Sequence, residues 1–374
     1  MMNMKKKNNE KSLIICNTVY QVLVGLWINH HYLKNCKADF IITDHMNGGN
    51  KIADRIRDLC LCDNVYYVQS HAFSYYQDGY KQTREIRFNP NIKLKDFLDL
   101  KDNYSTVYIA NMDLFAQLLC NSIYHRNRNG LNVVLFEDGI QTYTTVEEKV
   151  YKSCCDPVVS GVRTLLSKYI YKDFRINGNI AYALMFSPEL MDWKDFPIVQ
   201  LDKIDRQDLK FRKVINYVFE AEEAIKEYNT KYLFMEEHYA ADGKTINDVE
   251  LIAALAEKVG KNNIMVKIHP RNPVNRFKKL GYHTNTVLSV PWEVIAMNLP
   301  DIEEKIFITV QSGSISNLIR IFGMSIQAYS ILLLTEQNGI PFSPDRGELE
   351  RKNWDFFLQH SDMIKICSSI DDIS

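Results

Sequence analysis

The feature that most constrains this chain is a recurring pattern in which a short apolar, β-branched run stops abruptly at polar side chains. Residues 132–139 read NVVLFEDG and residues 264–270 read IMVKIHP. Runs of this kind are how parallel strands look when helices cover both faces of the sheet. Such strands deliver their last residues to the carboxyl edge, where open α/β sheets bind ligands. The first run delivers Glu137, Asp138 and then Gly139, and the second delivers His269 against Pro270. A carboxylate pair and an imidazole from opposite halves of the chain meet only if two domains, or two halves of one fold, face each other.

The alternation continues on either side of these runs. Strands are expected at 12–16, 39–43, 64–68, 106–110 and 132–137, with helices through about 33 and at 51–61, 94–100 and 112–124. From about 141 to 200 the periodicity blurs around Pro157, Pro188 and Pro197, which reads as loop and helix packing followed by a crossover. Residues 206–228 read as one helix rich in Glu and Lys at i, i+4 spacing. A second unit follows, with strands at 231–235, 264–268, near 287, at 305–310 and at 325–333. Its helices are expected at 248–259, 291–297 and 314–322, with a terminal helix over 348–360. The fold class is therefore α/β, with two Rossmann-like domains facing a central cleft, the GT-B layout.

With 374 residues and 46% apolar composition, the chain has material for two ordinary cores. It carries 45 basic and 46 acidic residues, a formal charge of -1, so no overall field favours nucleic acid. Eight cysteines form neither a CxxC pair nor a zinc-spaced Cys/His cluster, and read as reduced thiols of a cytoplasmic protein. No run approaches the roughly 18 apolar residues of a membrane span. The lysine-rich start ahead of SLIICNTVYQVLVGLWI imitates a signal peptide, but Asn17, Thr18 and Gln21 interrupt the run and no small-residue cleavage site follows. Any work at a membrane is expected from its inner, cytosolic face.

Chemistry concentrates at strand exits. Glu137 and Asp138 are either a solvated acidic turn or a pair in which one carboxylate is poised to take a proton from a substrate hydroxyl. Gly139 permits a turn and close approach of a ligand. His269, braced by Pro270 and beside Arg271, suits a phosphate oxygen, although a purely structural hydrogen bond would also account for it. Glu293 in VPWEV stands at a helix start, where it either favours the positive helix end or accepts hydrogen bonds from a ribose. Ser312, Gly313 and Ser314 in QSGSISN lead from a strand into a helix, which is a phosphate cradle or a plain helix cap. Asn17, Thr18 and Gln21 open the first strand-to-helix turn, which suits a sugar or an anion. The stretch LFMEEHYAADG holds further carboxylates, Glu236, Glu237 and Asp242, and aromatic residues in 71–82 are a candidate acceptor platform beside the plainer reading of a packed loop.

An acid-acid-Gly motif, an HP motif and a later serine motif, in that order, resemble the bacterial sialyltransferases. ICNTVYQVLVGLWI, FEDG, KIHPR, VPWEV and QSGSISN are similar to the lipooligosaccharide and capsule type of that group, over about residues 12–335. The resemblance implies CMP-sialic acid as donor, inversion at the anomeric carbon, no metal and no resident cofactor. It makes residues 1–200 the acceptor domain, 201–345 the nucleotide-sugar domain, and 346–374 a terminal helix packing back on the first. Glu137 and Asp138 would supply the base, with Glu236, Glu237 or Asp242 competing for that role. His269 would bind the CMP phosphate and assist its departure; Pro270, Glu293, Ser312, Gly313 and Ser314 would line the nucleotide. Asn17, Thr18, Gln21, Gly139 and Glu237 would lie near the sugars. Relatives have two adjacent hydroxyl residues where this chain has Ser312 and Gly313. Relatives also form dimers, so a homodimer is an expectation. The competing readings are a transferase using UDP-glucose or another nucleotide sugar, and a catalytically silent assembly protein that binds nucleotide or glycan.

Overall fold

A computed structural model describes residues 11–33, 38–73, 98–127, 130–140, 142–143, 174, 176–191, 196–341, 351, 355, 358–359 and 362–374. The chain divides into two compact units: Met1–Asp138 with Val146–Asp202, and Gly139–Thr145 with Lys203–Ser374. Each is a parallel sheet carrying helices.

In the first unit the strands are β1 (Lys11–Cys16), β2 (Ala38–Thr43), β3 (Val65–Val68), β4 (Tyr104–Ile109), β5 (Asn132–Phe136), β6 (Ile180–Met185) and β7 (Ile198–Gln200). Their order is β3-β2-β1-β4-β5-β6-β7, parallel throughout. All six residues of β2, ADFIIT, are buried, as a strand covered on both faces requires. The helix Val19–Trp27 returns across β1 at close range. A Cβ on Gly25 would sit 3.0 Å from Ile14 Cγ2 and 3.2 Å from Cys16 Sγ, so a larger residue would crowd the sheet where this helix lies so near it. At the amino edge, Lys11 meets Asp39 (3.1 Å) and Asp63 (3.0 Å), while Tyr104 and Asn64 donate to the same Asp39.

In the second unit the strands are β8 (Tyr232–Met235), β9 (Ile264–Lys267), β10 (His283–Thr284), β11 (Ile306–Thr309), β12 (Gln327–Ser330), β13 (Glu336–Gln337), β14 (Ile340–Pro341) and β15 (Lys365–Ile366). The main sheet runs β10-β9-β8-β11-β12-β15, again parallel. Strands β13 and β14 form a small hairpin through Asn338 and Gly339, both with positive φ, as the Asn-Gly turn favours. Phe234, Val266, Ile308, Leu255 and Phe277 belong to the buried cluster of the unit, so sheet and helices share one core.

Both sheets follow the doubly wound order 3-2-1-4-5-6, with the first adding β7. The differences from the sequence reading are local. Residues 141–200, expected as loop and helix, contain β6 and β7, which Pro188 and Pro197 punctuate rather than prevent. The helix expected over 206–228 is two, Leu209–Phe219 and Ala221–Lys226, broken at Glu220, whose φ of 51° is left-handed. The short strand lies at His283–Thr284, not near 287. Residues 362–374 hold β15 and a 3-10 turn, and β15 pairs with β12 of the second sheet. Most of 71–82, of 94–100 and of 348–360 lies outside the described residues, as does Pro157.

Candidate functional site

In the order 3-2-1-4-5-6 the connections leave the first and fourth strands in opposite directions, and the carboxyl edge between them opens. In the second unit those strands are β8 and β11, and the singled-out residues of this half cluster there. Glu236 and Glu237 leave β8, His269 leaves β9 one residue after Ile268, and Ser312 leaves β11 ahead of the helix Gly313–Phe322. The buried Glu236 accepts from the His269 N–H (3.1 Å) and from Arg276 (3.0 Å). Arg276 also grips Asp248 with both of its terminal nitrogens, at 2.9 and 2.7 Å, which compensates two carboxylates taken out of water.

Glu237 does for β11 what Glu236 does for β9. It accepts from Thr309 Oγ1 (3.3 Å) and the Gln311 N–H (3.1 Å), and Thr309 Oγ1 in turn accepts from the Ser312 N–H (2.7 Å). Burial pushes the Glu237 carboxyl up to about 7; the charges of Asp248 and Glu236 add to this, and the two hydrogen bonds only partly offset it. The next helix start is shaped by sterics as well as by capping. Ser312 accepts from the Ser314 N–H (3.4 Å) as N-cap, and a Cβ on Gly313 would sit 2.8 Å from Ile140 Cγ2. A side chain at position 313 would therefore require Ile140 to shift.

Burial pushes the His269 imidazole down to about 3, helped by the charges of Lys267, His238 and Arg271. Its Nδ1 accepts from the Arg271 N–H (3.2 Å), so the neutral ring carries its proton on Nε2 and can donate there. Pro270 is an exposed turn residue behind it. Glu293 is buried in the first turn of the helix Trp292–Asn298 and accepts from Asn317 Nδ2 (2.7 Å). Burial raises its carboxyl, opposed by that hydrogen bond and by Lys267 and Arg320.

In the first unit the switch point lies between β1 and β4, and its residues form a lattice of their own. Thr18 caps the first helix by accepting from the Gln21 N–H (3.2 Å). Asn17 donates its N–H to Gln21 Oε1 (2.6 Å) and its side-chain amide to Asp113 (2.6 Å), and accepts from Thr43 Oγ1 (3.0 Å), tying the ends of β1, β2 and β4 together. Glu137, wholly buried, accepts from the Tyr20 hydroxyl (3.1 Å) and the Phe186 N–H (3.1 Å). Asp138 beside it is only half-buried, and Gly139 turns the chain with φ of 70°, which a residue with a Cβ would adopt under strain. The two carboxylates are thus unequal: Glu137 is held inside, and Asp138 borders solvent.

One group was not singled out in the sequence. Asp44 and His45 follow β2, His71 follows β3, and one ligand atom of each lies within 4.8 Å of the others. The rule that polar residues at strand exits carry chemistry would have reached them.

No protein-family model matches the chain, and no curated protein matches it in sequence. Among solved structures it is similar to the α/β-galactoside α-2,3-sialyltransferase of the luminous marine bacterium Photobacterium phosphoreum, with a TM-score of 0.52, at 11% identity, over 98% of this chain and 100% of that one. It is likewise similar to the glycotransferase of kitacinnamycin, with a TM-score of 0.51, at 8% identity, over 99% of this chain and 88% of that one. The class these likenesses and the two sheets define is the two-domain Rossmann-like fold of the GT-B kind.

Proposed function

We propose that the chain is an inverting, metal-independent glycosyltransferase that moves sialic acid from CMP-sialic acid to a galactose-type acceptor on capsular, exopolysaccharide or lipooligosaccharide glycan. The observation that carries this reading is in the second unit. There the Glu236–Glu237 pair fastens the His269 turn on one side and the Ser312 turn on the other, at the edge where a doubly wound sheet receives a nucleotide.

In this reading Asp138 takes the proton of the acceptor hydroxyl, since it borders solvent while both oxygens of Glu137 are engaged inside. The acceptor oxygen attacks the anomeric carbon as the bond to the CMP phosphate breaks, and the electron pair leaves on the phosphate. The neutral His269 Nε2–H, the Ser312 hydroxyl and the N–H groups at the start of the Gly313–Phe322 helix receive that charge. Glu293 holds the nucleotide's sugar. Asn17, Thr18 and Gln21 keep the first unit's edge in shape for the glycan. CMP-sialic acid is a substrate here, and the chain needs no resident cofactor. The sequence resemblance supports the donor, and the fold supports glycosyl transfer of some kind.

The test is to incubate purified protein with CMP-sialic acid and a panel of galactosides. CMP release with a sialylated product is expected. Turnover of UDP-sugars with none of CMP-sialic acid would overturn the donor assignment.

A further inference from the structure

We propose that the first unit carries a divalent-metal site built from Asp44, His45 and His71, which takes a late first-row ion such as Zn²⁺, Co²⁺ or Ni²⁺ and lies on the same sheet edge as Asn17 and Asp113 without using either as a ligand. The backbone brings these side chains together. Strands β2 and β3 pair in parallel with Thr43 opposite Val68, so the residues that follow each strand leave the sheet side by side. Asp44 and His45 are the first residues off β2, and Ser70 and His71 open the 3-10 turn beyond β3.

The donor atoms are already near ligand spacing. Asp44 Oδ1 and His71 Nδ1 are 3.1 Å apart. Two ligands each about 2.0–2.2 Å from one zinc ion stand roughly 3.0–3.5 Å from each other. The His45 ring lies against that of His71, with centroids 3.9 Å apart and planes at 27°, and one ligand atom of each of the three residues lies within 4.8 Å of the others. The carboxylate is also fixed in place: the buried Ser70 donates its hydroxyl and His71 its N–H to Asp44 Oδ1, both at 3.1 Å. Outer contacts of this sort orient a ligand before the ion arrives.

Donor chemistry selects the ion. Two imidazoles and one carboxylate suit zinc, cobalt or nickel, whereas magnesium and calcium require mostly oxygen. With three protein donors, coordination positions remain for water or an incoming group. The effect on the fold is to bolt the end of β2 to the turn after β3.

The experiment uses the full-length chain stripped with a chelator, then titrated with Co²⁺ by visible absorption and with Zn²⁺ by calorimetry. One ion per chain is expected, with d–d bands of a nitrogen- and oxygen-bound cobalt. His45→Gln, His71→Gln and Asp44→Asn should each weaken binding by about tenfold or more, while His283→Gln leaves it unchanged. Binding whose stoichiometry and affinity are unaltered in the His45→Gln/His71→Gln double variant overturns the site. So does an X-ray absorption spectrum of the zinc-loaded wild type without two imidazoles, a measurement that depends on no variant folding. None of these readouts involves glycosyl transfer, so the metal site and the proposed activity stand or fall separately.

Discussion

The two sheets share a strand order, yet their carboxyl edges are built differently. At the first unit's switch point between β1 and β4 the lattice is mostly neutral, with Gln21 and Thr43 around Asn17, Thr18 capping the helix, and Asn17 donating to Asp113. The second unit's edge is knitted from charge, with Glu236, Glu237, Asp248 and Arg276 behind His269 and Ser312. An amide lattice holds a shape at any ordinary pH. A lattice of buried carboxylates holds shape and also stores shifted ionisation, which a charged ligand can draw on. Topology fixes where a site opens, and the side chains grafted there decide what it answers to.

That contrast is broken most decisively by activity. In the proposed reaction, His269→Ala and Asp138→Asn should each lower turnover by about a hundredfold to ten-thousandfold with the fold retained by circular dichroism. Near-normal turnover of either variant removes that residue from the mechanism. Next come the charges. Arg276→Ala leaves Glu236 and Asp248, 0% and 1% exposed, without their cation and should cost about 3–5 kcal/mol in denaturant unfolding. Lys11→Ala should cost only about 1–2 kcal/mol, because Asp39 keeps Tyr104 and Asn64. Equal losses would erase the distinction between the two networks.

The pH dependence sharpens it further. His269 is held at about 3 when folded, below its unfolded value, so its contribution is complete above about pH 6.5 and is lost as pH falls from there. Glu237 is held at about 7, above its unfolded value, so its contribution is complete below about pH 4.3 and is lost as pH rises toward 7. His269→Asn should flatten the acid side of a stability profile and Glu237→Gln the neutral side; a profile unmoved by both refutes the buried-charge account. The smallest effect separates the caps. Thr18→Ala and Ser312→Ala should each cost about 1 kcal/mol, but Ser312→Ala alone should also weaken CMP binding, measured by calorimetry.

The carboxyl ends of β5 and β9 were legible in the sequence, because the apolar runs there stop at Glu137 and at His269. The sequence also exposed the caps Thr18 and Ser312. The rest was hidden for identifiable reasons. Strands β7, β10 and β15 have two or three residues each, too few for any periodicity. β6 was obscured by the prolines that follow it, and the break at Glu220 uses a left-handed residue other than glycine. The hydrogen bonds that Glu236 and Glu237 accept from backbone N–H groups beyond the ends of other strands leave no mark in a linear pattern. The association of Asp44, His45 and His71 depends on the pairing of β2 with β3, which a linear pattern does not show.

Ile140 and Tyr143 belong to the second unit although the chain places them between stretches of the first. Ile140 fills the space over Gly313, and the Tyr143 ring lies 4.6 Å from the Arg320 guanidinium. Chimeras that exchange halves of this chain with those of another transferase by cutting near residue 202 would separate this borrowed strap from its seat. Successful shuffling will have to carry it along with residues 203–374, as an insert sewn into the foreign front half.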